Sequence, residues 1–147
     1  EEVTSYSDIA RLLPLTNDSS SYSNPTYRGG SFQLQYDLGI RKQYGTEVID
    51  PVFQVLKNGD VVQEIPAKLL EESIAYSDPD KEYYAPDAAE NKLEIPCQSD
   101  TIEIHLLCQD SFGLSYDFTV RTYEIGTNGD IAEIQPVTDY NVEVSWD

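Results

Sequence analysis

The segment GSFQLQYDLGIRK, residues 30–42, alternates hydrophobic and polar side chains with a period of two. Successive side chains of a β-strand point to opposite faces of the sheet, so this period predicts one strand with one buried face. The hydrophobic side chains expected on that face are Phe32, Leu34, Tyr36, Leu38 and Ile40.

The segment PVFQVLKNGDVVQEIP is predicted to form a β-hairpin. The dipeptide Asn58-Gly59 favours a two-residue type I′ turn, because both central positions of that turn need positive φ. The prolines at the two ends lack an N–H donor and are expected to bracket the hairpin. The expected register has two pairs nearest the turn: Leu56 with Val61, and Val55 with Val62.

Five later segments predict further strands: KLEIP, TIEIHLLCQ, SYDFTVRTYEI, DIAEIQP and YNVEVSW. A short helical turn and an irregular strand are both compatible with residues 67–75. Seven or eight short strands separated by turn residues predict an all-β sandwich or barrel. The side chains expected to face its core from the longer segments are Ile102, Ile104, Leu106, Cys108, Tyr116, Phe118, Val120, Tyr140, Val142, Val144 and Trp146.

Residues 1–29 differ from the rest because they include the polar, linker-like run TNDSSSYSNPTY. We expect an N-terminal extension or linker here. The alternative that Leu12, Leu13 and Leu15 contribute an edge strand stays open. Residues 30–147 are predicted to form the folded domain.

A strand that ends in Asp-Ser-Phe-Gly, followed by a strand rich in Thr, Val and aromatic residues, occupies residues 108–125. This hairpin resembles the late hairpin of bacterial extracellular immunoglobulin-like domains of the polycystic-kidney-disease-like and adhesin types. The positions that match the hairpin-closing Asp-x-x-Gly of those domains are Asp110 and Gly113. The resemblance implies an immunoglobulin-like antiparallel β-sandwich of seven or eight strands. It also implies a non-enzymatic binding, adhesion or spacer module of a secreted or cell-surface bacterial protein.

The charge balance limits the partners of the chain. It has 27 acidic and nine basic residues, for a formal net charge of −18. Such a charge repels nucleic-acid phosphates and anionic membranes, so neither is expected as a partner. No apolar run reaches the about 18 residues of a membrane span. The expected location is extracellular or at the cell surface, with the periplasm as an alternative, and the expected form is a monomer that binds a protein or a glycan.

Two cysteines, Cys97 and Cys108, flank a predicted strand. Since a strand rises about 3.3 Å per residue, the two Cα atoms are expected to lie beyond the roughly 7 Å limit for a disulfide. This spacing favours two thiols, with Cys108 buried, while a bulge would leave a disulfide open.

Residues 76–91, YSDPDKEYYAPDAAEN, are predicted to form a loop rich in acidic residues and tyrosine. An EF-hand counted from Asp78 fails, because Tyr83 and Ala89 take the positions of the required Gly and Glu. A looser calcium site would use Asp78, Asp80 and Glu82, and no other cofactor is expected. A plain solvated loop and a recognition loop are the alternatives. The candidate binding residues of this loop and of residues 110–114 are Tyr83, Tyr84, Asp110 and Phe112.

No enzyme signature is present in the sequence. His105 is the only histidine, and it is expected opposite the core face; no Gly-x-Ser-x-Gly elbow and no phosphate-binding glycine loop occur. Two alternatives to the binding module remain. One is a carbohydrate-binding module that uses exposed tyrosines; the tyrosines near the N-terminus that could stack on sugar rings are Tyr6, Tyr22, Tyr27, Tyr36 and Tyr44. The other is a hydrolase with two converging carboxylates.

Overall fold

A computed structural model describes residues 10–15, 25–70, 80–134 and 141–146 of the chain. The described part is all-β, as predicted, and every strand pair in it is antiparallel. Its strands are β1 Leu12–Leu15, β2 Thr26–Arg28, β3 Ser31–Gln35, β4 Leu38–Lys42, β5 Val48–Lys57, β6 Asp60–Leu70, β7 Lys81–Pro86, β8 Lys92–Pro96, β9 Thr101–Asp110, β10 Leu114–Ile125, β11 Ile131–Glu133 and β12 Asn141–Trp146.

The strands form two hydrogen-bonded sheets. The larger sheet is nine-stranded, with the order β1-β4-β7-β6-β5-β9-β10-β11 and with β12 also paired to β10. The smaller sheet is three-stranded, with the order β2-β3-β8. More strands are present than the seven or eight predicted, because the predicted extension and the predicted loop also contain strands and one predicted strand is divided between the two sheets.

Residues 30–42 are divided in this way and are not the single strand predicted. β3 belongs to the three-stranded sheet and β4 to the nine-stranded sheet, and the chain crosses at Tyr36 and Asp37. All five hydrophobic side chains predicted for the inner face are buried. The period of two therefore predicted the buried face correctly, but it contains no information on which neighbouring strand supplies the hydrogen bonds.

The hairpin of β5 and β6 has the predicted turn. Asn58 and Gly59 both have positive φ, at 52° and 88°. Leu56 pairs with Val61, as the sequence predicted. Local turn chemistry thus determines the start of this hairpin.

The rest of that hairpin differs from the prediction. Val55 pairs with Gln63 instead of Val62, because the register shifts by one residue. A bulge of this kind places two residues of one strand opposite one residue of its partner. Pro51 and Pro66 lie within β5 and β6 and do not bracket them.

Strand β6 connects the two halves of the large sheet. Its first part pairs with β5 as far as Pro66, and residues 67–70 pair with β7. These last residues are a strand, which agrees with one of the two predictions for residues 67–75; residues 71–75 lie outside the described part.

One hydrophobic core joins the two sheets. The side chains predicted to face inward from β9 and β10 are all buried within it. Phe32 of the small sheet contacts Tyr123 of β10, with ring centroids 5.3 Å apart. Tyr36 packs edge-on against Phe53 of β5 at 6.2 Å. The inner face of the small sheet is therefore part of the same hydrophobic core as the strands of the large sheet, with a direct contact to β10.

Both ends of the chain add strands to this framework. β1 pairs with β4, and β2 pairs with β3, so residues from the predicted extension take part in the sheets. β11 and β12 both run along the same edge of β10, and the second Asn-Gly pair lies in the turn before β11. The side chains predicted to face inward between residues 140 and 146 lie outside the described part.

Both cysteines are free thiols, and both are buried, so the structure has no disulfide between them. Burial raises the pKa of the Cys108 thiol to about 12, and the nearby charge of Asp110 adds to this shift. No helix within the described ranges is long and apolar enough to cross a membrane.

Candidate functional site

Tyr83 and Tyr84 are buried, so their predicted role as exposed contacts is wrong. They lie in strand β7, and their exposed fractions are only 4% and 5%. Tyr84 faces the core and donates a hydrogen bond from its hydroxyl to Glu82 Oε1 at 2.6 Å. Burial, followed by that hydrogen bond, raises the pKa of Tyr84 well above the ordinary tyrosine value.

The burial of Tyr83 has a cause in its cross-strand neighbours. Gly39 of β4 lies directly opposite Tyr83 on one side, and Leu70 of β6 lies opposite on the other. β7 therefore has a hydrogen-bonded strand on each side. The predicted loop is thus a central strand at residues 81–86, with both faces covered.

The calcium candidates do not form a site within the described residues. Glu82 is engaged on both of its oxygens, because Oε1 accepts from Tyr84 and Oε2 accepts from Lys42 Nζ at 3.2 Å. Asp80 is exposed at the start of β7, and Asp78 lies outside the described part. No group of three or more metal-ligating side chains occurs in the part that the structure describes.

Asp110, another predicted binding residue, is buried at the end of β9 and is engaged in hydrogen bonds within the chain. It is 2% exposed, and its carboxylate accepts hydrogen bonds from the backbone N–H of Phe112 and Leu114 at 2.8 and 3.0 Å. The Tyr116 hydroxyl donates a third hydrogen bond at 2.8 Å. Asp110 therefore holds the hairpin between β9 and β10 in shape. Gly113 supports the same turn with a φ of 93°.

Phe112 is exposed at the tip of that hairpin, as a binding residue must be. Its side chain is 54% exposed. The Arg11 guanidinium carbon lies over its ring, 4.5 Å from the centroid, and Arg11 also pairs with Asp110 at 3.7 Å. The hairpin tip is thus anchored to the chain that leads into β1.

A second exposed aromatic residue, Tyr44, lies in the turn between β4 and β5. The turn closes with a hydrogen bond from Thr46 N–H to the Gln43 carbonyl at 3.2 Å. Tyr44 and Gly45 both have positive φ, at 57° and 71°, which is the pattern of a type I′ turn. The Tyr44 side chain is 74% exposed, the highest value among the large hydrophobic residues of the described part.

Two hydroxyl side chains join this turn to the β9–β10 hairpin. The oxygens Thr46 Oγ1 and Ser111 Oγ lie 2.9 Å apart. Ser111 N–H donates to Thr46 Oγ1 at 3.0 Å, and Glu47 N–H donates to Ser111 Oγ at 3.2 Å. We call the end of the molecule formed by residues 43–47, Asp80 and residues 111–113 the loop end.

The loop end contains an open cleft with polar walls. Its volume is 570 Å³, and residues 41–47 line it together with Asp80. Lys42 lies between Glu47 and Glu82, at 3.2 Å from a carboxylate oxygen of each. Burial lowers the pKa of Lys42, but these two hydrogen bonds outweigh it, so the pKa is raised and the side chain keeps its charge.

His105 lies on the outer face of β9, as predicted, and is half-buried. Its ring nitrogen Nδ1 lies 2.7 Å from Asp117 Oδ1, and Nε2 lies 3.5 Å from Glu103 Oε1. Burial lowers its pKa, but the hydrogen bond and charge of Asp117 outweigh burial, so the pKa is raised.

Sequence reasoning missed the residues that organise the loop end. Tyr44 was one of the five tyrosines considered for stacking on sugar rings, with nothing to distinguish it from the other four, and the sequence did not point to Arg11, Thr46 or Ser111. The dipeptide Tyr44-Gly45, in the polar run between two predicted strands, was the available signal for a turn with an aromatic residue at its tip. The contacts of Arg11 and Ser111 join distant parts of the chain, so no local pattern predicts them.

No protein-family model matches the chain, and comparisons with curated proteins and with solved structures return no match.

Proposed function

We propose that the chain is an immunoglobulin-like binding module of a secreted or cell-surface bacterial protein, and that it recognises its partner with the loop end. The order β1-β4-β7-β6 continues through β5-β9-β10 in the strand pairing. Immunoglobulin-type sandwiches have one sheet of strands A, B, E and D and another of C, F and G. The observed order supports that comparison, because β1, β4, β7 and β6 take the places of A, B, E and D, and β5, β9 and β10 take those of C, F and G. β6 pairs with β7 in the first set and with β5 in the second.

The exposure of Tyr44 at a left-handed backbone position is the observation that carries the proposal. A side chain with a Cβ costs about 1–2 kcal/mol in this conformation, and Asn or Gly is the usual residue there. Packing does not offset the cost, because the ring is 74% exposed. Neither the backbone nor the core explains a tyrosine at this position, whereas a contact with a partner does.

A rigid framework behind the exposed rings supports the same proposal. Asp110 and the Thr46–Ser111 pair fix both turns by hydrogen bonds. A preordered surface loses little conformational entropy when it binds, which favours affinity. Loops held on a rigid β-framework are the usual location of recognition residues.

The experiment compares two double variants on a panel of extracellular proteins and glycans. Tyr44→Asn with Phe112→Ser removes both exposed rings of the loop end. Val61→Thr with Val62→Thr is the control, because it removes exposed apolar side chains from the β5–β6 hairpin instead. We expect the first variant alone to lose binding. No binding by the wild type would support a spacer module instead, and equal binding by both variants would show that the partner contacts a surface other than the loop end.

A further inference from the structure

The chemistry of the cleft beside Tyr44 narrows the class of ligand. Its volume of 570 Å³ lies in the range of about 300–1,000 Å³ that small-ligand sites occupy. Such sites combine aromatic surface with a few polar groups that fix orientation. Here the polar groups are the side chains of Arg41, Lys42, Gln43 and Glu47, with Asp80 at the rim.

The lining of the cleft has two basic residues, Arg41 and Lys42, and two acidic residues, Glu47 and Asp80, so its formal charge is zero. Lys42 is paired with Glu47 in the cleft and with Glu82 beside it. An anionic ligand would meet these carboxylates within a molecule whose net charge is −18. A cationic ligand would have to compete with Lys42. The balance of charges therefore favours an uncharged ligand, and the polar lining favours a ligand with hydroxyl groups that donate and accept hydrogen bonds.

An uncharged saccharide has an apolar ring face and hydroxyl groups, and this site offers a partner for each. One face of a pyranose ring presents C–H groups that pack flat on an aromatic ring, while its hydroxyls both donate and accept hydrogen bonds. Tyr44 offers an exposed ring, and the neighbouring amide, ammonium and carboxylate groups offer donors and acceptors within fixed ion pairs. Phe112 offers a second ring on the adjoining hairpin.

We infer that the loop end binds a neutral oligosaccharide, with Tyr44 as the stacking ring and the walls of the cleft as hydrogen-bonding partners. The inference rests on the proposed function and names the ligand of the same site. It assigns no metal to the interaction, so binding is expected to persist in a chelator.

Isothermal titration calorimetry with neutral hexasaccharides tests the inference. The probes are cellohexaose, xylohexaose, mannohexaose, maltohexaose and chitohexaose, each titrated into the full chain. Tyr44→Asn keeps a residue suited to the left-handed turn and removes the ring, so we expect its affinity to fall by about tenfold or more. Tyr44→Phe keeps the ring and is expected to stay within about threefold of the wild type. Val61→Thr, at the other end of the molecule, is expected to bind as the wild type does.

The outcomes separate this inference from the proposed function. Binding of none of the neutral probes, or binding of sulfated and sialylated glycans alone, would overturn the inference. The proposed function would then still stand if a protein partner bound and the loop-end variant lost it. A neutral saccharide that binds Tyr44→Asn as tightly as the wild type would contradict both proposals.

Discussion

Two turns of this molecule share a backbone conformation and differ in what their first residue does. Asn58-Gly59 and Tyr44-Gly45 each have positive φ at both central positions. Asn58 is the residue that this conformation favours, whereas Tyr44 is a bulky residue that it disfavours. Because the φ values of the two turns are similar, the difference between the turns lies in the side chains of Asn58 and Tyr44.

The side chains of the two turns have opposite surroundings. Asn58 donates from Nδ2 to Asp100 Oδ1 at 2.7 Å and accepts from Thr101 N–H at 2.9 Å. Tyr44 projects its ring into solvent. The structure itself accounts for Asn58, because its contacts join the hairpin to the start of β9. It gives Tyr44 no such role, and this difference is the reason to assign recognition to the loop end.

The largest expected effect comes from the residue that holds the hairpin beside Tyr44. Asp110→Ala leaves the Tyr116 hydroxyl and two backbone N–H groups without their buried acceptor, and we expect a loss of about 3 kcal/mol or more in unfolding free energy. Denaturant unfolding measures the loss. Asp130→Ala, at an exposed aspartate, is the control and is expected to change it by less than about 0.5 kcal/mol. Equal losses would show that the loop end is not a fixed framework.

The next effect tests the turn that the structure explains. Asn58→Ala removes two hydrogen bonds and a residue that tolerates positive φ, so we expect a loss of about 1–2 kcal/mol. Asn128→Ala is a matched control, since Asn128 also precedes a glycine but is not at positive φ. A loss at Asn128 as large as that at Asn58 would remove the basis for treating Asn58 as a special position.

A smaller effect comes from His105, which is remote from both turns. Its pKa in the folded protein is raised above the ordinary 6.5, so its stabilising contribution is fully present below about pH 6.5 and is lost as the pH rises through the folded value. We expect less than about 1 kcal/mol, because the ring is partly solvent-screened. The difference in unfolding free energy between the wild type and His105→Gln should shrink as the pH rises. A difference that grew would contradict the assigned contacts.

The smallest effect is expected from calcium. Glu82 is engaged by Tyr84 and Lys42, so calcium should raise the midpoint of thermal unfolding no more than magnesium does. A ligand that binds only the folded state raises this midpoint by mass action. A calcium-specific rise of several degrees would show that the acidic segment before β7 binds the ion.

The sequence predicted the parts of the fold that local chemistry determines. The buried faces of β3, β4, β9 and β10 follow from their period of two, and the Asn58 turn follows from the need for positive φ. The sheet to which each strand belongs was not predictable in this way. It depends on pairings such as β4 with β7, which join residues far apart in the chain.

The candidate site was less predictable, for the same physical reason. Tyr83 and Tyr84 lie between acidic residues and prolines, which are typical of a loop, yet long-range pairing with β4 and β6 makes them part of a buried strand. Phe112 was a candidate because it is a turn residue between two clear strands, and it is exposed, as such a position predicts. Tyr44 could not be distinguished from the other tyrosines considered for sugar stacking, because tyrosine is not a usual residue for a left-handed turn position and so gave no sign of the turn.

The central claim is that Tyr44 serves binding and not folding, and the unfolding free energy of Tyr44→Asn tests it most directly. Asparagine suits a φ of 57°, and little packing is lost with a ring that is 74% exposed. Chemical denaturation should therefore give a value equal to that of the wild type or higher by up to about 1 kcal/mol. A loss of more than about 1 kcal/mol would show that the ring supports the fold, and the account of the loop end would be wrong.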